Sequence, residues 1–328
     1  MHSITTNIVS TGAYVPERAV ANEDLTQFPA TALPLIREKT GIARRHYAAD
    51  DQCTSDLAFE AARRCLDRAQ VSAADLDAIL LATSSPDRVQ PATATRVQDL
   101  LGARRAFAFD LNSVCSGAVF GLHLGDALIR AGESRNVLVI ASELYSRSYI
   151  NPRDFSICAS LGDGAGAVLL GPAAESRGIV GSRLHTDGSG RDLIQVPAGG
   201  TMLPYNMVTR PQDVYFTMRG PEVQQFAISQ GAAVVTELLE GCGVDRREIA
   251  FVVPHQANLP VLRGLAERLD IPFTKFAVTL DRYGNTAASS VFIAFDDLMV
   301  SGRVQPGDLI VLVVFGGGLS WAATLIRA

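Results

Sequence analysis

One strand–helix–strand paragraph is written twice along this chain, and that repetition constrains the fold more than any other feature. In the first half an apolar run, Ala78 to Ser85, is followed by an Asp-bearing strand, then by Cys115 opening a helix, then by the strand Asn136 to Ala141. In the second half Ala250 to His255 reads as the strand, Asn285 opens a helix, and Asp308 to Phe315 is the strand that follows. Apolar strand runs alternating with amphipathic helical stretches predict an α/β fold. The repeat predicts two pseudo-equivalent halves, 1–172 and 173–328, with the boundary near Gly171-Pro172. Cys115 and Asn285 then hold matching places, and His255 stands at a strand end facing both. A duplicated fold has a natural place for a site, where its halves meet. Gly199 to Gly220, rich in Gly, Pro and Met, reads as a long loop able to cover a pocket.

Composition excludes several classes. With 328 residues, 48% of them hydrophobic, the chain can bury a large core and is not disordered. A formal net charge of −5 gives no footprint for nucleic acid. The longest apolar run, Leu309 to Phe315, is too short to cross a bilayer. The opening Met-His-Ser-Ile-Thr-Thr lacks the charged and apolar regions of a signal peptide. The five cysteines (Cys53, Cys65, Cys115, Cys158, Cys242) are odd in number, and no two stand as Cys-x-x-Cys. Neither a disulfide framework nor a metal site is expected, and the compartment expected is the cytoplasm.

A thiol, an imidazole and a carboxamide at these positions make a kit for acyl chemistry. A thiolate is a nucleophile, and the imidazole and amide supply N–H donors to an oxygen that gains negative charge. After Cys115, Gly117, Gly121 and Gly125 fall four apart on one helical face, among Val119, Phe120, Leu122 and Leu124. This predicts a buried helix whose glycines admit another backbone closely, and whose N-terminus lowers the Cys115 pKa toward the thiolate. Each residue also has a plainer reading. Cys115 alone is a small buried hydrophobe, His255 a hydrogen-bonded strand end, and Asn285 a helix cap. The catalytic reading rests on the trio. Of the other histidines, His123 is expected in the core and His185 in a turn, and none of the four, His2 and His46 included, has a comparable setting.

Two glycine-rich segments separate from each other. Gly162-Asp-Gly-Ala-Gly166 lacks G-x-G-x-x-G spacing and leads into a strand, so a tight turn is favoured over a nucleotide loop. Phe315-Gly-Gly-Gly318 follows a buried strand, and consecutive glycines let N–H groups approach a ligand oxygen. The N–H groups of Gly317 and Cys115 would form an oxyanion hole for a thioester carbonyl.

Together these segments resemble the β-ketoacyl-acyl-carrier-protein synthase III family of the thiolase fold. The resemblance runs almost end to end through Gly12-Ala-Tyr-Val-Pro16, Lys39-Thr-Gly-Ile42, the Cys115 helix, Gly162 to Gly166, His255-Gln-Ala-Asn258, Tyr283-Gly-Asn-Thr286 and the final glycines with Trp321. It implies a five-layer αβαβα fold, a homodimer, and no cofactor beyond coenzyme A or phosphopantetheine thioesters as substrates. Cys115 would take an acyl group from acyl-CoA or an acyl-carrier thioester. Malonyl-carrier protein would then lose carbon dioxide, with His255 and Asn285 holding the enolate oxygen. Elongating synthases would carry a second histidine in place of Asn285, and degradative thiolases a second cysteine in the final glycine loop. By the same resemblance, Gln256, Ala257, Asn258, Leu259, Pro260, Lys39 and Arg263 would face carrier protein or substrate, with Arg44 and Arg45 extending a basic rim. Ser85 to Ala92 would reach the partner subunit's acyl pocket.

The chain departs from the housekeeping pattern at the substrate end. Leu35 and Phe155 stand where a tryptophan and an arginine stack on adenine, and Gln90 stands where a phenylalanine closes the acyl pocket. Pro260 and Gln225 replace an arginine and a lysine that face the carrier. A relative from secondary metabolism, or an acyltransferase that passes the group to a hydroxyl or amine without condensation, is the alternative reading. A nucleotide-binding protein using Gly162 to Gly166 is a third, and a non-catalytic partner subunit is opposed by Cys115 itself.

Overall fold

The computed structural model describes residues 5–173 and 177–328. In chain order the first sheet and its helices comprise β1 (Thr5–Tyr14), β2 (Arg18–Ala21), α1 (Leu33–Thr40), β3 (Arg44–Tyr47), α2 (Thr54–Ala69), β4 (Ala78–Ala82), α3 (Thr93–Leu101), β5 (Phe107–Leu111), α4 (Gly117–Arg130), β6 (Val137–Glu143), α5 (Phe155–Ser160) and β7 (Gly164–Ala173). Then come β8 (Gly178–Thr186), β9 (Ile194–Gln195), β10 (Thr217–Met218), α6 (Gly220–Cys242), β11 (Ile249–Pro254), α7 (Leu259–Leu269), α8 (Leu280–Tyr283), α9 (Ser289–Val300), β12 (Leu309–Gly316) and β13 (Ser320–Arg327).

The two main sheets share one topology. The first runs β1-β7-β6-β4-β5, with β4 parallel to β5 and β6, and β7 antiparallel to β6 and β1. The second runs β8-β13-β12-β11, with β12 parallel to β11, and β13 antiparallel to β12 and β8. Beside β11, Val252 makes an isolated parallel bridge to Phe276, at the place β5 holds beside β4.

Strand alternation builds the layers. Leu80 and Val139 point into a core shared with Ile310, Leu312 and Val314 of the other sheet, and helices α4 and α9 fill the space between them. Their chain neighbours Ile79, Leu81, Leu138 and Ile140 face outward under α2 and α3. Val311 and Val313 likewise face α6 and α7. Strands covered on both faces read as unbroken apolar runs, which is why β4, β6 and β12 are legible as sequence. The result is the five-layer thiolase fold.

Three expectations are corrected. The glycines of α4 admit strand side chains rather than another backbone: a Cβ on Gly121 would lie 2.8 Å from Val139 Cγ1, and one on Gly125 2.6 Å from Leu170 Cδ1. His123 is exposed, because α4 turns one edge to solvent. His185 belongs to β8 rather than a turn, bonded to Glu237 at 2.7 Å and stacked on Trp321. His2 lies outside the described residues.

Candidate active site

Cys115 sits in a tight 3-10 turn, Val114–Ser116, between the end of β5 and the first residue of α4. Val114 adopts φ +47°, an unfavourable conformation for a β-branched residue, held by its surroundings. The turn is pinned to the β12–β13 hairpin: Ser116 donates to the Ser320 carbonyl at 2.8 Å, and Ser113 to Ser320 Oγ at 3.1 Å. This brings the nucleophile against the glycines of the hairpin. A Cβ built on Gly316 would lie 2.9 Å from both the backbone nitrogen and Cβ of Cys115. The neighbouring Gly317 abuts Val114 and Ile194.

His255 directly follows the last residue of β11, its backbone N–H donating to the Val313 carbonyl at 2.8 Å. Its ring packs edge-on against Phe315 and is buried. Burial drives its pKa down to about 4, with a hydrogen bond to the Ala287 backbone working the other way, so the ring is neutral near pH 7.

Asn285 is placed by the glycine turn that the sequence singled out. Its N–H donates to the Ser160 carbonyl at 2.8 Å, and its own carbonyl accepts from Gly162 N–H at 3.0 Å. A Cβ on Gly162 would sit 2.8 Å from the Tyr283 carbonyl. The carboxylate of Asp163 accepts from Ala48, Tyr145 and Ser146 N–H groups and the Ser146 hydroxyl. The turn is thereby committed to internal bonds, which removes the basis for a nucleotide site. Asn285 Oδ1 accepts from Ala287 N–H at 2.9 Å, so the carboxamide's remaining donors are those of its NH2 group.

Cys115, His255 and Asn285 all line one cavity of about 560 Å³. Tyr145, Ile157, Leu161, Ile194, Phe216 and Phe315 make it mainly apolar, and Ser160, Gln224, Gln225 and Asn258 add polar groups. The far end of the Gly199–Gly220 segment contributes Phe216, Met218 and Gly220 to its wall. An apolar chamber with a thiol and clustered N–H donors can hold an acyl chain and stabilise a carbonyl oxygen.

The expected thiolate is corrected. Burial, reinforced by the nearby Glu143 carboxylate and opposed by a backbone hydrogen bond, pushes the Cys115 thiol up to about 12. Glu143 itself, at the buried end of β6, is raised to about 7 by desolvation, opposed by hydrogen bonds from Ser85, Ser84 and Thr83. Sequence reasoning passed over it. The signal was a carboxylate just past the apolar run Val137 to Ala141 in a buried strand, which only partners make tolerable.

Comparison with known proteins gives the same answer along the whole chain. Residues 109–188 match the family described as 3-oxoacyl-[acyl-carrier-protein] synthase III, and residues 239–328 match its C-terminal part. The β-ketoacyl-[acyl-carrier-protein] synthase III of Roseiflexus sp. (strain RS-1) is 43% identical over 317 residues, covering 96% of each chain. The chain belongs to the β-ketoacyl-acyl-carrier-protein synthase III family. The solved 3-oxoacyl-[acyl-carrier-protein] synthase III of Aquifex aeolicus VF5 superposes with a TM-score of 0.91 at 36% identity, over 98% of this chain and 100% of that one. The priming β-ketosynthase of the R1128 polyketide pathway does so with the same score of 0.91 at 29% identity, over 98% and 96%.

Within this synthase the outer residues expected at the site divide. Ala257 and Asn258 line the cavity, and Gln225 joins them. Asn258 also caps α7, accepting from Val261 N–H at 2.9 Å. Gln256 is corrected: it is fully buried and faces no substrate. Its side chain donates to the Pro254 and Ala277 carbonyls and accepts from Thr279 and Leu280 N–H groups, tying the His255 strand end to the segment leading to Asn285. Arg45 is corrected too, since it is buried beneath Val20, Asn22 and Ala159 rather than on a rim. Lys39, Pro260 and Arg263 are exposed, and Leu259 packs on Gly41. Leu35 and Phe155, expected at the substrate end, and Gln90, in the segment expected to reach the partner subunit's pocket, do not line this cavity. Leu35 is exposed on α1, Phe155 packs edge-on against Phe28, and Gln90 is exposed before Pro91. The walls are instead Tyr145, Leu161, Ile194 and Phe216, which spacing alone does not mark.

Proposed function

We propose that this ketoacyl synthase carries an acyl group on Cys115 and condenses it with malonyl-carrier protein. The observation that supports this reading is the convergence of Cys115, His255 and Asn285 on one largely apolar cavity. In the first stage the Cys115 sulfur attacks the donor thioester, and the thiol's proton leaves with the released coenzyme A or carrier thiol. In the second, the malonyl carboxylate departs as carbon dioxide, and the electrons it leaves form an enolate whose oxygen takes hydrogen bonds from His255 and Asn285. The enolate carbon attacks the acyl carbonyl, whose oxygen rests on the N–H groups of Cys115 and Gly317. Collapse expels the Cys115 sulfur as thiolate, which takes a proton from water. Loss of carbon dioxide supplies the carbanion, so no strong base is needed.

The same reading takes the acyl carrier protein and acyl-CoA as partners, the cytoplasm as compartment and 1–172 and 173–328 as the duplicated units. Five free cysteines, and the absence among the described residues of a helix long and apolar enough to cross a membrane, are compatible with it. A homodimer is supported by β5, an edge strand whose Phe107 and Phe109 stack at 6.3 Å and stand 46% and 37% exposed. Such an edge invites a second copy. The test is to incubate the protein with an acyl-CoA and malonyl-carrier protein and weigh the product. A β-ketoacyl-carrier product two carbons longer, with carbon dioxide released, supports condensation. An acyl group moved unextended to another acceptor would replace this reading with plain acyl transfer, which Pro260 and Gln225 at the carrier-facing positions would then explain.

A further inference from the structure

His255 is useful as a donor only if its proton sits on the ring nitrogen that serves the cavity, and nothing so far decides which nitrogen that is. The other ring nitrogen has a fixed neighbour. Nδ1 lies 2.7 Å from Ser290 Oγ, in the first turn of α9. That hydroxyl oxygen already accepts the Gln256 backbone N–H at 3.1 Å. Ser290 is only 2% exposed, and among the described residues its hydroxyl proton has no recorded acceptor other than Nδ1. A buried hydroxyl proton left without an acceptor is costly, whereas the bond to Nδ1 satisfies it. We propose that Ser290 is a positioning residue: it donates to Nδ1 and thereby fixes His255 in the tautomer that carries its proton on Nε2.

The arrangement is rigid. Gln256, whose N–H holds the serine oxygen, is itself anchored through both ends of its side chain to Pro254, Ala277, Thr279 and Leu280. Serine and histidine therefore meet through a braced backbone. The N-terminus of α9 beside the ring also disfavours a second proton on it. Asn285 follows the same rule, with its acceptor oxygen consumed by Ala287 N–H and its donors left over. In both residues the acceptor side is occupied, so that what remains is a donor; in His255 the Ala287 backbone is a standing partner with which a substrate oxygen must compete.

The proposal rests on His255 acting as an enolate-oxygen donor, and the experiment separates the two. Long-range ¹H–¹⁵N correlation on protein labelled with ¹⁵N-histidine, with the His255 signals assigned by their loss in His255→Ala, reads the tautomer directly at pH 7 and needs no substrate. The expected result is a protonated Nε2 and an unprotonated Nδ1; a proton on Nδ1 in the unmutated protein overturns the proposal. In Ser290→Ala the tautomers should mix, and malonyl-thioester decarboxylation should fall about 10- to 100-fold, as when a hydrogen bond orienting a histidine is removed elsewhere. Cys115 acylation should fall far less, and Ser290→Thr, which keeps the hydroxyl, should recover decarboxylation. Unchanged tautomer and rate in Ser290→Ala also overturn it. If the unmutated protein never acylates Cys115, the functional reading fails, while the tautomer measurement still decides the role of Ser290.

Discussion

Gly316→Ala tests whether the glycine hairpin seats the nucleophile. The new methyl would lie 2.9 Å from the Cys115 nitrogen and Cβ, and 3.2 Å from its Cα, all backbone or first-carbon atoms with no freedom to swing away. Ordinary contact begins at 3.4 Å, so the hairpin and the Cys115 turn must part by at least the difference, 3.4 − 2.9 = 0.5 Å. A 1 Å misplacement of reacting groups costs about 10²-fold, so a shift of half that predicts roughly a tenfold slower acylation. Overpacking should also destabilise the fold by about 1–3 kcal/mol, a fall of several degrees in Tm. The assays are the rate of acyl-adduct formation by intact-protein mass and thermal unfolding. Gly200→Ala is the control, because a Cβ there meets nothing within 4 Å. Wild-type acylation and melting in Gly316→Ala would refute the packing of glycine on nucleophile.

His255→Ala and Asn285→Ala should each still accept the acyl group yet lose about 10²–10³-fold in malonyl decarboxylation, read as carbon dioxide release; unimpaired release in both would remove their assigned role. Stability should respond to pH through two opposed groups. His255, depressed from 6.5 to about 4, leaves the unfolded chain holding the extra proton between those values, so its contribution rises with pH there. Glu143, raised from 4.5 to about 7, holds a proton the unfolded chain has lost, so its contribution falls as pH rises through that window. Each is worth at most about 3 kcal/mol. Denaturant titrations should show stability of Glu143→Gln rising more steeply between pH 4.5 and 6.5 than wild type, and a flatter or falling profile would contradict the burial of either group. Replacing Phe107 and Phe109 together by Glu should yield a monomer in sedimentation analysis, and an unchanged oligomer would displace the proposed interface.

Much of the fold was legible because both faces of its central strands are covered. Ala78 to Ala82 and Leu309 to Phe315 could therefore be read as apolar blocks, and their repetition gave the duplicated topology. The trio was legible because each member stands at a strand end or helix start. What escaped depends on tertiary geometry. Glu143 looks like the polar end of a strand until Ser84 and Ser85 fold over it, and Ser290 is one of two serines entering an apolar helix. The thiol's raised pKa reflects burial, whose cost to a thiolate the helix-start reading left out, and a carboxylate brought in by β6, which the pattern does not contain. The residues expected to wall the acyl pocket were taken from positions in a resemblance. Within this chain Phe216 and Ile194, from the connection between β8 and α6, line the cavity.

The most direct test is the covalent state of Cys115 through one turnover. Exposure to an acyl-CoA should add one acyl mass to the intact protein, mapped to the Cys115 peptide and absent in Cys115→Ala. Adding malonyl-carrier protein should then discharge it with stoichiometric carbon dioxide. An adduct that forms on another residue, or one on Cys115 that malonyl-carrier protein cannot discharge, would contradict the account.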